Sequence, residues 1–194
     1  MEKFKLLAEP WWVNLLFLFP FAAYFFWKES LRLTKKILII AFIFGAAFGF
    51  VEAAVVIYLR AAVGLLPGYG GTLTDVVRLS SAMFDQAQIL GQLPQSLFIV
   101  ELFREAATIV MLAGVAFLTV RAFKERCAVF FWTFAVWDIF YYVGLWAAVR
   151  WPNSFIAPDV LFLIPVPWYS QVWFPILISG LTMLVIIMRI SKKV

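Results

Sequence analysis

The sequence contains no histidine, one cysteine (Cys127) and few charges, which occupy only 14% of its 194 positions. Without His, the usual zinc and haem ligands and His-based acid–base pairs are missing. A lone cysteine rules out a disulfide scaffold. Soluble domains carry roughly 25% charged residues, so scarcity of charge on this scale excludes a water-soluble globule, and the high apolar content excludes a disordered chain. What is present is apolar: 65% of residues are hydrophobic and 19% aromatic, with a mean hydropathy of +0.97. The net charge of +5 comes from cations at the ends of apolar runs, a pattern that suits a bilayer better than nucleic acid. Composition predicts an integral membrane protein with no nucleic-acid partner.

About twenty apolar residues cross a hydrocarbon core of roughly 30 Å. Five stretches meet that length: 11–27, containing Pro20; 37–59, carrying Glu52; 97–120, carrying Glu101, Arg104 and Glu105; 128–149, carrying Asp138; and 168–190. The last apolar region begins earlier, at Leu161, and is broken by Pro165, Pro167 and Pro175. Residues 161–167 therefore read as a kinked or re-entrant lead-in to the fifth helix. The predicted fold class is all-α, a polytopic bundle of five transmembrane helices forming one domain over 1–194.

Cation counts set the expected orientation. Lys28, Arg32, Lys35 and Lys36 lie in one connection, Arg121, Lys124 and Arg126 in another, and Arg189, Lys192 and Lys193 in the tail. These face the cytoplasm, against Lys3, Lys5, Arg60, Arg78 and Arg150 on the opposite side, so the N-terminus is expected outside and the C-terminus inside. The first apolar run lacks a small-residue cleavage site and is expected to be retained, giving a multi-pass protein of the bacterial inner-membrane type. The outer loop, 60–96, holds the turn-prone Leu66-Pro67-Gly68-Tyr69-Gly70-Gly71 and an interfacial helix at 74–90 bearing Asp75, Arg78 and Asp85. It can act as a lid or as a solvated connector.

Of the eleven acids, Glu2, Glu9, Glu29, Asp75, Asp85, Glu125 and Asp159 fall in loops, at the N-terminus or at the rim. The other four lie within spans, where an ionised side chain at a helix centre costs about 3 kcal/mol or more. At about 1.5 Å per residue, Glu52 lies roughly 10 Å below the outer end of its helix, Glu105 roughly 12 Å, Asp138 roughly 16 Å and Glu101 about 6 Å. Glu101, Arg104, Glu105 and Thr108 share one helical face by their i, i+3, i+4 and i+7 spacing. Arg104 can neutralise one acid but not all, which leaves a carboxyl group to stay protonated or to meet a cationic ligand. The plainer alternative is that these polar groups only hydrogen-bond helices together.

Aromatic residues surround the fourth-span acid. Trp137, Tyr141 and Tyr142 lie near Asp138, and the fifth span opens with Trp168, Tyr169 and Trp173. An acid among π faces suits a hydrophobic amine or a carbocation. Carboxylates alone can hold Mg²⁺ or Ca²⁺, but Arg104 between Glu101 and Glu105 argues against a metal, and no cofactor is expected. Ser and Thr nucleophiles have no His base, Cys127 lies at the cytoplasmic end away from the acids, and no Gly-rich phosphate loop is present.

This order of acids on five spans resembles the emopamil-binding protein, sterol isomerase and sigma-type receptor (EXPERA) superfamily. Gly49-Phe50-Val51-Glu52 through Ile57-Tyr58-Leu59 is similar to its second span, Glu105 with Thr108 to its third, and Asp138-Ile139-Phe140-Tyr141-Tyr142 to its fourth. Gln171 and Trp173 match a polar residue near a Trp in its last span, and the resemblance covers 37–193. Where the isomerases have a His one turn before the second-span Glu, this chain has Phe48. The resemblance implies a bundle around a lipophilic cavity.

The expected function is binding of a lipophilic ligand, isoprenoid-like, sterol-like or a cationic amphiphile, in an acid-lined aromatic cavity. In its enzymatic form the protein would isomerise a double bond, one protonated carboxyl donating and one carboxylate accepting. Glu52, Glu105 and Asp138 are the candidate catalytic residues. Glu101, Arg104, Thr108, Trp137, Tyr141, Tyr142, Gln171 and Trp173 are the candidate ligand contacts. The expected partner is a membrane lipid or a lipophilic small molecule. Two other classes remain open: a small proton-coupled transporter, which would need a homodimer, and an accessory subunit of a larger membrane complex.

Overall fold

The computed structural model describes residues 7–28, 31–62, 72, 74 and 94–190. Most of them are helical. A 3₁₀ helix, Trp11–Leu18, runs into α1, Phe19–Phe26. The break falls where it must: Pro20 has no N–H to donate to the carbonyl of Leu16, so the α-helix restarts with the proline in its first turn. The longer helices are α2, Lys35–Ala62, α3, Gln95–Thr119, and α4, Phe123–Val149, and α5, Trp173–Arg189, ends the described chain. Two segments, Lys35–Leu59 and Phe123–Val149, are long and apolar enough to cross a membrane, while Trp11–Phe26 and Trp173–Arg189 are shorter apolar helices. The expected outer loop at 60–96, with its helix at 74–90 and Asp75, Arg78 and Asp85, lies almost entirely outside the described residues.

The all-α expectation needs correcting between α4 and α5. Residues 158–171 form an antiparallel hairpin of β1, Pro158–Phe162, and β2, Trp168–Gln171, pairing Asp159 with Ser170 and Val160 with Tyr169. The fifth helix accordingly begins at Trp173 rather than at 168. Pro165 and Pro167 explain both changes. Neither can donate a helical hydrogen bond, so the apolar run turns back on itself across them. The outer edge of β2 is partly covered by the N-terminal segment, where Glu9 and Tyr169 exchange N–H···O bonds of 2.8 and 2.7 Å. That pairing satisfies backbone groups an open edge would leave bare.

The most extensive packing is α2 against α4. Gly45 and Gly49, one turn apart on α2, face the α4 backbone: a Cβ on Gly49 would stand 2.5 Å from the Trp137 carbonyl oxygen, and one on Gly45 2.9 Å from that of Thr133. Small residues at i and i+4 let two apolar helices approach closely enough for backbone contact. The indole of Trp132 on α4 donates to the Leu38 carbonyl on α2 at 3.1 Å. At the same end, Trp27 donates through its indole to the Lys124 carbonyl at 3.1 Å, and the Leu31 N–H donates to the Arg189 carbonyl at 2.7 Å. These bonds gather the three cation-rich segments at one end of the bundle. The hairpin, Arg150 and residues 7–10 lie towards the other.

Candidate functional site

The intramembrane acids expected from sequence occupy two different settings. The first is a charge network between α2 and α3. Arg104 meets a single oxygen of Glu101, Oε2, through both Nε, at 2.8 Å, and Nη2, at 2.7 Å, across one turn of α3. Its Nη1 pairs with Glu52 on α2. Glu52 and Glu101 are each 7% exposed, so one guanidinium serves two buried carboxylates from separate helices. The planar fork of arginine suits this geometry; a lysine could not reproduce it. Tyr141 of α4 lies within electrostatic range of Arg104. Thr108, a turn beyond Glu105 on the same face, is buried as well.

Glu105, next to Arg104 on the chain, turns towards the hairpin. Its carboxylate accepts the Leu163 N–H, with Oε2 at 2.8 Å and Oε1 at 3.1 Å. Leu163 follows β1, where its N–H has no strand partner, so a side chain from α3 supplies the acceptor. The second tether is Tyr142 of α4, whose hydroxyl donates to Asp159 Oδ2 at 2.7 Å while Asp159 Oδ1 accepts the Val160 N–H at 2.9 Å. Asp159, expected at the rim, is 1% exposed and joins Glu52, Glu101 and Glu105 as a fourth buried acid. Glu105→Ala should remove the Leu163 acceptor and leave a buried N–H unpaired, a cost of about 1–3 kcal/mol. Amide exchange at Leu163 should accelerate while exchange in the middle of α4 stays unchanged.

Asp138 belongs to the other setting. On α4 it accepts the Ser179 hydroxyl of α5 at 2.8 Å. Both residues line a cavity of about 80 Å³, whose other walls include Leu16, Phe134, Trp137, Leu161, Trp168 and Phe174. Every element around it contributes: the N-terminal 3₁₀ helix, α4, the hairpin and α5. Glu52, Glu101, Arg104 and Glu105 do not line it. Gln171 and Trp173 stand beside this region as a pair, the Trp173 indole donating to Gln171 Oε1 at 2.6 Å, and Tyr141 packs against Tyr142 with ring centroids 5.1 Å apart.

The structure therefore joins Glu52, Glu101 and Arg104, gives Glu105 and Tyr142 to the hairpin, and leaves Asp138 with Trp137 in an aromatic cavity. Trp168, expected from sequence as an aromatic opening the fifth span but not as a ligand contact, completes that cavity with Ser179, which was not singled out from sequence. Ser179 carries a weak signal: it lies six residues past Trp173, one of two hydroxyls, with Thr182, in the apolar run 173–190. Among the described residues no group of three or more His, Cys, Asp or Glu is arranged to hold a metal ion. Comparison of the chain with protein-family models, with curated proteins and with solved structures finds no match in any of the three.

Proposed function

We propose that the chain is a five-span membrane protein that binds a lipophilic ligand at the Asp138 cavity, with its N-terminus outside and its C-terminus in the cytoplasm. The orientation is supported by the gathering of the 28–36 connection, the Lys124 region and Arg189 at one end of the bundle, since cytoplasmic ends collect Lys and Arg. The observation that carries the ligand reading is Asp138 hydrogen-bonded to Ser179 in a cavity otherwise walled by aromatic and aliphatic side chains. Sites for small lipophilic molecules combine apolar walls with a few placed polar groups in this way.

Chemistry at this site would run through one carboxyl group. A double-bond shift would use Asp138 in both directions: its protonated form adds H⁺ to one alkene carbon, and the resulting carboxylate removes H⁺ from the allylic carbon. Glu52 and Glu105, held by Arg104 and by Leu163, would act on the packing around the site rather than on the substrate. The test is to extract small molecules from protein purified gently in lipid nanodiscs and identify them by mass spectrometry. Wild type should carry a lipophilic compound in near-stoichiometric amount, and Asp138→Leu should retain at least about tenfold less of it. Equal retention by both would overturn the assignment of the site.

A further inference from the structure

Two walls of the Asp138 cavity carry hydrogen-bond donors without a partner among the described residues. The indole nitrogens of Trp137 and Trp168 are both buried without a hydrogen-bond partner, and both rings line the cavity beside Asp138 and Ser179. Trp137 is 7% exposed overall. An unmade hydrogen bond from a buried N–H costs about 1–3 kcal/mol, and buried donors in folded proteins are nearly always paired. Both indoles are held in place by other rings. Trp168 is held edge-on against Trp12 at 5.2 Å and tilted against Phe162 at 5.7 Å, and Trp137 packs on Phe134 at 5.3 Å.

The cavity thus combines an acid with two indole N–H donors in apolar surroundings, and those requirements select among polar groups. An ammonium would pair with Asp138 but has no lone pair for the indoles. A carboxylate or phosphate would satisfy the indoles but meet the charge or lone pairs of Asp138. A hydrocarbon would satisfy neither. A hydroxyl group answers both, donating its proton to Asp138 while its oxygen accepts from an indole. About 80 Å³ accommodates a hydroxyl and the first carbons behind it, since one water needs about 10–15 Å³ on the same measure.

We infer that the ligand of this cavity is a lipophilic alcohol whose hydroxyl group sits between Asp138 and the indole N–H groups of Trp137 and Trp168. This rests on the lipophilic-ligand reading above and narrows it, because that reading also admits hydrocarbons and amines. The indoles act as recognition donors. Asp138 selects against anions and Ser179 holds its carboxylate in place.

The test uses the full chain in lipid nanodiscs and equilibrium binding of radiolabelled farnesol, with farnesene and farnesylamine as unlabelled competitors of the same carbon skeleton. Farnesol should bind saturably, and the hydrocarbon and the amine should each compete at least about tenfold more weakly than unlabelled farnesol. Trp137→Phe and Trp168→Phe, which keep an aromatic face and remove the donor, should each weaken farnesol about fivefold, the loss of one net hydrogen bond. Trp146→Phe, outside the cavity, should leave binding unchanged. Two separate variants keep the test informative if one of them misfolds. Equal competition by alcohol and hydrocarbon, or strongest competition by the amine, would overturn the alcohol assignment while leaving a lipophilic site in place. Absence of saturable farnesol binding, with the cavity taking up water alone, would overturn both.

Discussion

Arg104→Met destabilises the folded chain by about 3–5 kcal/mol, the cost of breaking a buried ion pair by deleting one partner. The size follows from what the substitution leaves behind. Methionine fills much of the arginine stem, so little packing is lost, but Glu52 and Glu101 remain buried at 7% exposure with no cation between them. Those carboxylates come from different helices, so their repulsion acts directly on the α2–α3 contact. Arg104→Lys should recover only part of the loss, because an ammonium keeps the charge but cannot hold Glu101 Oε2 from two nitrogens and still reach Glu52 with a third. The triple variant Arg104→Met, Glu52→Gln, Glu101→Gln should be far less damaged than Arg104→Met alone, since replacing all the charges together removes the repulsion as well as the attraction. Unfolding titrations in mixed SDS micelles, followed by tryptophan fluorescence, give the four stabilities. A single variant no weaker than wild type would mean that Arg104 does not hold these helices.

The same network shows what could be read from the sequence and what could not. The i, i+3 spacing of Glu101 and Arg104 on a helix face announces their bond, and membrane depth announces that Glu52 needs a partner. Which acid goes where depends on features without a one-dimensional signature. Glu105 is one residue from Arg104 and shares its face, yet it turns to a backbone N–H 58 positions away. No pattern of side chains marks a peptide group as an unpaired donor. Asp159 looks like a loop acid because it follows Pro158, and only the hairpin brings it under Tyr142.

The hairpin is the largest architectural feature that hydropathy misreads. Leu161-Phe162-Leu163-Ile164 followed by Val166 is as apolar as a helix end, and short apolar runs do not distinguish strand from buried helix. Pro165 and Pro167 mark a discontinuity without saying whether the chain kinks or reverses. What decides for reversal is tertiary: three acceptors and donors outside the hairpin, Glu105, Tyr142 and the backbone of Glu9, hold it from three sides. The long helices α2, α3 and α4 were legible because each is apolar over more than twenty residues, which averages out local ambiguity.

Gly49→Val should be about as harmful as loss of Arg104, and for a reason that lies in backbone geometry alone. A Cβ at position 49 would meet the Trp137 carbonyl oxygen at 2.5 Å, the Tyr141 nitrogen at 2.9 Å and the Phe140 Cβ at 3.0 Å. Two of those three are main-chain atoms of α4, which cannot move aside as a side chain can, so the helices themselves must separate. Overpacking of this kind costs about 1–3 kcal/mol and sometimes more; here separation would also disturb the Trp132–Leu38 bond and the Glu52–Arg104 pair, and a loss of about 4 kcal/mol is expected. Gly49→Ala should cost less but still register. Gly114→Ala and Gly180→Ala supply the contrast, because a Cβ at either meets nothing within 4 Å; the gain in helix propensity should leave them neutral or up to about 1 kcal/mol more stable. The harm should extend to the cavity, since Trp137, whose carbonyl faces Gly49, also offers its indole there. Gly49→Ala that folds should therefore bind farnesol more weakly than wild type, while Gly180→Ala binds it equally well. If Gly49→Val unfolds at the same SDS fraction as wild type, α2 and α4 do not touch at this glycine and the close approach described above is wrong.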